Sequence, residues 1–188
     1  MTSYRITKYN PDKRNEQGHF LENSEWTAIS DIGKPKYNNV TYEEYEKIES
    51  AYVNSIKLIL QDNNFDHLVV DSFLRHDMKA EFKKYVTTGR VRNIKLDFDK
   101  EVKILKNGLK LNLVQIDKIV RLILRETIDL TLVNKEFEVR FGYDYYMYVK
   151  TTTLRPKTIN KIRELGLFVE PGIEQRKFIF IDKDGNEI

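Results

Sequence analysis

The stretch Phe137-Glu-Val-Arg-Phe-Gly-Tyr-Asp-Tyr-Tyr-Met-Tyr-Val149 decides how this chain is read. Its odd positions Phe137, Val139, Phe141, Tyr143, Tyr145, Met147 and Val149 form one face, while Glu138, Arg140, Asp144, Tyr146, Tyr148 and Lys150 form the other. A period of two marks a strand with one buried face. Thirteen residues exceed the usual strand of ~5–6, so the pattern predicts a bulge or bend at Gly142. The second face pairs charge with Tyr146 and Tyr148, where a plain solvated face would carry Lys, Glu or Thr.

Working backwards, Asn112 followed by Gln115 is a capping pattern that starts an apolar helix, with Ile116, Ile119, Val120 and Ile123 on its stripe and Leu113, Leu122 and Leu124 widening it. Before it, Asn107-Gly108 stands between the alternating segments 101–106 and 109–111 and predicts a type I′ hairpin. A second capping box, Thr41 with Glu44, opens a helix running to about Asn63. Tyr45, Ile48, Tyr52, Ile56, Ile59 and Leu60 form its apolar stripe. Glu43, Glu46 and Glu49 fall largely outside that stripe and favour the positive end of the helix dipole. Strands are expected at 4–9, 25–30, 67–73, 94–98, 130–133, 167–169 and 177–181, with short helices at 77–86 and after Pro156, the latter capped by Gly166. The expected class is α+β, in two packed modules (1–90 and 91–188, meeting near 87–93), each a mostly antiparallel sheet with helices on one face.

Composition narrows function by elimination. The 188 residues are 40% hydrophobic and 32% charged, which suits a folded domain, and they include no cysteine. Disulfides, thiolate metal sites and cysteine nucleophiles are thereby excluded. No run approaches the ~20 apolar residues of a membrane helix, so a cytoplasmic protein is expected. The net charge of +3 divides into −1 over residues 1–90 and +4 over 91–188. Its basic segment, Lys150, Arg155, Lys157, Lys161 and Arg163, meets no acid before Glu164.

His67, Asp71 and His76 form a His/Asp group, but their spacing matches no zinc signature. There is no G-x-S-x-G elbow and no phosphate-cradling glycine loop. Asp182-Lys-Asp-Gly185 begins like a calcium loop but lacks the later bidentate glutamate and reads as a turn. Asp97 and Asp99 read as a solvated strand edge. No catalytic residue, metal or cofactor is assigned, and an enzyme would need a site scattered along the chain. Two binding readings stand instead. In the leading one, Arg140, Tyr146, Tyr148 and Lys150 grip a protein partner, since Tyr and Arg dominate interface hot spots. In the alternative, the tyrosines stack on single-stranded nucleic acid while Arg155, Lys157, Lys161 and Arg163 neutralise phosphates. Glu136, Glu138 and Asp144 would repel phosphate, which ranks protein first.

Tyr4-x-Ile6-x-Lys8-Tyr9-x-Pro11, Gly18-x-Phe20, Glu25-Trp26-Thr27 and Ser30-Asp31-Ile32-Gly33 resemble the opening of a family of small cytosolic proteins from low-GC Gram-positive bacteria. Phe141–Tyr148 and Gly166–Glu170 are similar to its closing segment. The resemblance implies a protein encoded beside polymorphic toxins and acting as an immunity protein. It brings no catalytic residue with it.

Overall fold

A computed structural model describes residues 1–22, 24–75 and 102–174 of the chain. The expected helix 77–86, the junction 87–93, strands 94–98 and 177–181, the turn 182–185, and His76, Asp97 and Asp99 lie outside these residues.

The described residues form seven strands: β1 (Thr2–Thr7), β2 (His67–Arg75), β3 (Lys110–Asn112), β4 (Ile128–Asn134), β5 (Phe137–Phe141), β6 (Met147–Thr151) and β7 (Phe168–Pro171). They form one sheet in the order β3-β2-β4-β5-β6-β1-β7, and every neighbouring pair is antiparallel. With α1 (Tyr42–Asp62), α2 (Leu113–Leu124) and α3 (Pro156–Glu164), the architecture is α+β. Strands from 1–90 and from 91–188 interleave in it, because β1 lies between β6 and β7 while β2 lies between β3 and β4. Among the described residues both halves thus contribute strands to one sheet.

The helices cover one face. Alternate residues Leu68, Val70, Leu111, Ile128, Leu130, Leu132, Phe137, Val139, Met147, Val149, Ile6 and Val169 are buried beneath them. Tyr52 of α1 meets Phe141 edge-on at 6.1 Å, and α1 packs against both α2 and α3. Both predicted capping boxes form: Thr41 Oγ1 accepts the Glu44 amide as Glu44 takes that of Thr41, and Asn112 and Gln115 do the same. No helix of the described residues is long and apolar enough to cross a membrane.

The bulge or bend expected at Gly142 is a complete reversal of the chain. Phe141 and Met147 lie opposite each other, and Gly142 N–H donates to Tyr146 O at 2.8 Å across a turn in which Asp144 and Tyr145 take φ of 58° and 62°. The odd residues of β5 and β6 stay on the core face because partners across a ladder share a face whichever way the chain runs. The expected strand 25–30 is an irregular loop with a 3-10 turn at Ile29–Asp31. Buried Asp31 holds the loop, accepting the amides of Thr27 and Ala28 and the Lys34 ammonium. Burial by itself would raise its pKa, yet these donors hold the carboxyl below the usual range.

Asn107-Gly108 does not make a type I′ hairpin. Gly108 has φ 83°, but Asn107 is not in the left-handed region, and residues 102–104 form a turn of helix. The turn docks on β2 instead, where Asn107 Oδ1 accepts the Phe73 amide at 2.8 Å beside a bulge at Ser72, φ 53°. Leu113, expected on the buried stripe of α2, is 36% exposed at its first turn.

Candidate functional site

The face of the sheet opposite the described helices is built, at β5 and β6, by their even residues. One cross-strand row runs Glu170, Arg5, Tyr148, Arg140 over β7, β1, β6 and β5. A parallel row runs Ser3, Lys150, Glu138, Val133, Val69, Lys110 over six strands. Directly opposed side chains stand ~4.5–5.5 Å apart at Cβ, so each row is a continuous strip of contacts. Tyr148, Arg140 and Lys150 thus lie side by side, half-buried, with no described helix above them. Their charges are loosely held: Arg140 Nε stands 3.7 Å from Glu138 and Lys150 Nζ 3.5 Å from exposed Glu174.

Tyr146 is placed differently from its neighbours. It sits at the end of the β5–β6 turn, under the loose hairpin in which Arg14 bridges Phe20. Arg14 Nη1 donates to the Tyr146 hydroxyl at 2.9 Å, the guanidinium carbons of Arg5 and Arg14 stand 5.1 and 5.3 Å from its ring centre, and Tyr9 packs at 5.4 Å. Arg5 in turn binds Glu170 through two bonds of 2.7 Å. Burial alone would lower the Arg5 pKa, and the fork with Glu170 reverses this to hold it above its usual value. Tyr146 therefore serves as the floor of an arginine clamp, and of the four expected contact residues Arg140, Tyr148 and Lys150 remain presented together.

The cations of the nucleic-acid reading sit elsewhere. Arg155 caps α3 and reaches Asp62 of α1 at 4.0 Å, while Lys157, Lys161 and Arg163 point to solvent from α3. Since α3 lies on the helix-covered face, the sheet separates these cations from Tyr148. The sequence made them look adjacent because only Thr151–Leu154 intervenes. Tyr145, next to Tyr146, is buried: its hydroxyl is 2.6 Å from both Tyr45 Oη and Leu124 O.

His67 binds its neighbour Asp66 at 2.6 Å, and Asp71 is exposed four residues along the same strand, about 13 Å away at ~3.3 Å per residue. Among the described residues no group of three or more His, Cys, Asp or Glu converges as a metal site would require.

Two buried charge centres were missed by the sequence reading. Glu49, expected on the solvated side of α1, is fully buried. Its carboxylate accepts Arg125 Nε at 2.5 Å, Arg125 Nη2 at 2.8 Å and Arg121 Nη1 at 2.7 Å, and Arg121 continues to Asp117 and Asp117 to Lys57. Lys8 is the second, its side chain 4% exposed with the ammonium 4.1 Å from the Trp26 ring, 4.4 Å from Tyr9 and 2.8 Å from Glu25. Burial pulls the Lys8 pKa down against that partner. The signal for Glu49 was present: it stands four residues after Tyr45 and three before Tyr52, in the buried stripe, and Arg121 and Arg125 are one turn apart on the facing helix.

Compared with protein-family models, curated proteins and solved structures, the chain matches none of them.

Proposed function

We propose that this protein is a non-catalytic binding module whose partner is another protein, engaged by the sheet face opposite the described helices. The observation that carries the reading is the placement of Tyr148 between Arg5 and Arg140 in one cross-strand row, with Lys150 in the next and no described helix over them. Tyr and Arg give large contact areas with few rotatable bonds, and such residues dominate measured interface energies. The rigid sheet beneath them keeps the ordering cost of binding low. The resemblance of residues 4–11, 18–20, 25–27, 30–33, 141–148 and 166–170 to small proteins suspected of being immunity proteins points to a specific form of this role, an antidote that blocks a toxin by direct binding.

The test is a quantitative comparison of partner capture by the wild type and by Tyr148→Ala with Arg140→Ala. Both residues are half-exposed, so the fold should persist by circular dichroism while affinity falls at least ten-fold. Unchanged capture by the folded double variant removes this face from the interaction. Single-stranded nucleic-acid binding keeps only the exposed Lys157, Lys161 and Arg163, and predicts affinity that falls steeply with salt.

A further inference from the structure

Gly108 follows Asn107, and no other asparagine in the chain is followed by glycine. Such a pair has a chemistry of its own. The amide nitrogen of the following residue can attack the asparagine side-chain carbonyl carbon, losing its proton as a five-membered imide closes and ammonia leaves. Water then opens the imide at either carbonyl, giving aspartate or, with the main chain rerouted through the side chain, isoaspartate. One water is taken up and one ammonia released, with no change of oxidation state. Glycine offers no side chain to obstruct the attack, so an unfolded Asn-Gly segment reacts faster than other asparagine pairs.

The fold holds both reacting groups. Gly108 N–H, the nucleophile, donates to Val70 O at 2.8 Å. Asn107 Oδ1, on the carbon to be attacked, accepts the Phe73 amide at 2.8 Å. That amide lies within the register shift between Asp71 and Leu74, where Ser72 takes φ 53°, and a side-chain carbonyl serves it in place of a backbone one. Val70 N–H donates to Leu109 O at 2.9 Å, so the turn carries the β3 ladder onward along β2 beyond Lys110. Nucleophile and electrophile are thus tied to different residues of β2. Closing the imide requires the Gly108 amide to give up Val70, and the Asn107 side chain to give up Phe73 and swing back over its own main chain. The turn is anchored by apolar contacts, with Leu105 7% exposed and Leu109 half-buried against the core. Asn107 and Gly108 themselves are exposed, so water reaches the pair.

We propose that Asn107-Gly108 is a self-modification site, which deamidates to isoaspartate only when its turn undocks from β2. The isoaspartyl turn does not dock again. It carries an extra methylene in the main chain ahead of Gly108, which moves that amide away from Val70 O, and it places a new carboxylate along the strand that bears exposed Asp71. Local openings of this kind occur far below the cost of global unfolding, and here each carries the chance of a permanent covalent change. This chemistry does not depend on what the sheet face binds.

The test incubates the intact chain beside a synthetic peptide of residues 102–112 at neutral pH. Peptide mapping locates the product as the mass gain of an amide becoming an acid, and enzymatic carboxyl methylation detects isoaspartate. The free peptide should convert at least ten-fold faster than the folded chain. Leu105→Ala, folded by circular dichroism, should speed conversion of the chain about ten-fold and speed hydrogen exchange of the Gly108 amide in step. Should that variant not fold, urea below the global midpoint takes its place and should raise both rates together. Asn107→Gln, whose longer side chain needs a slower six-membered ring, should give no product. The isoaspartyl chain should keep its circular dichroism while the Val70 and Gly108 amides lose protection. Equal rates in peptide and folded chain, a rate unmoved by Leu105→Ala or urea, another asparagine reacting first, or amides still protected after conversion would each overturn the inference.

Discussion

Glu49→Gln is the most informative single change, because it keeps the shape of a buried side chain and removes only its charge. In the wild type the carboxylate is fully buried and takes three short bonds from two arginines. Arg121 is 20% exposed and keeps Asp117 at 2.8 Å, so it loses little. Arg125 is 5% exposed at its side chain, and its contact with the Tyr42 hydroxyl, at 3.3 Å, is longer than those it makes with Glu49. Breaking a buried pair from one side costs about 3–5 kcal/mol, and the surviving Asp117 contact puts this case near 3. With a urea m-value of about 2 kcal/mol/M, the midpoint should fall by about 1.5 M. Trp26, 5.3 Å from Tyr45 and the chain's one tryptophan, reports the unfolding by fluorescence alongside far-ultraviolet circular dichroism. The double change Glu49→Leu with Arg125→Met should recover most of the loss, since it leaves no unpaired charge behind. A loss below about 1 kcal/mol for Glu49→Gln, or a double variant no better than the single, would refute the view that this pair carries the α1–α2 contact.

Two further predictions concern pH. Burial raises the phenol pKa values of Tyr9, Tyr45, Tyr52 and Tyr145. The unfolded chain would lose these protons near pH ~10 while the folded chain keeps them, so stability present below that pH falls as pH rises beyond it. Absorbance at 295 nm should then show the exposed tyrosines first and the rest only with cooperative loss of circular dichroism. Ionisation of all tyrosines before any structural change would contradict the burial. Asp31 has a lowered pKa, so its contribution is full above the unfolded value near ~3.9 and is lost as pH falls through the folded one. Asp31→Asn should cost about 1–3 kcal/mol at pH 7, a gap that urea titrations should find shrinking toward pH 3, and a gap constant with pH would speak against the carboxylate.

Local signals in the sequence were readable and long-range ones were not. The caps at Thr41 and Asn112 use groups three residues apart, so their chemistry is written in adjacent letters. Alternation over Phe137–Val149 placed the core side chains correctly, yet parity alone does not distinguish a bulged strand from two strands folded back on each other. The reversal rests on Asp144 and Tyr145 taking left-handed backbone; Asp suits a turn, but a tyrosine following it in an alternating run does not announce one. Trp26 and its neighbours look β-prone, but the segment is fixed by Asp31 and by packing against Tyr45 and Tyr145, contacts that only the tertiary fold creates. At the candidate site the face of each residue followed from its parity. That Tyr146 is clamped while Tyr148 is presented depends on Arg14, more than a hundred residues away in the chain.

The position of β1 carries a consequence for how the molecule is made. Tyr4 lies opposite Val149 on one side and Pro171 on the other, so this strand has no ladder partner until nearly all the described residues have been synthesised. Pairing over such a sequence separation is entropically slow, and an unsatisfied strand is a template for the wrong neighbour while it waits. Nascent chains should therefore remain protease-sensitive at Thr2–Thr7 until β6 leaves the ribosome. The charged residue Arg5 then has an early duty as well as a late one, keeping that waiting segment soluble before Glu170 arrives to pair with it.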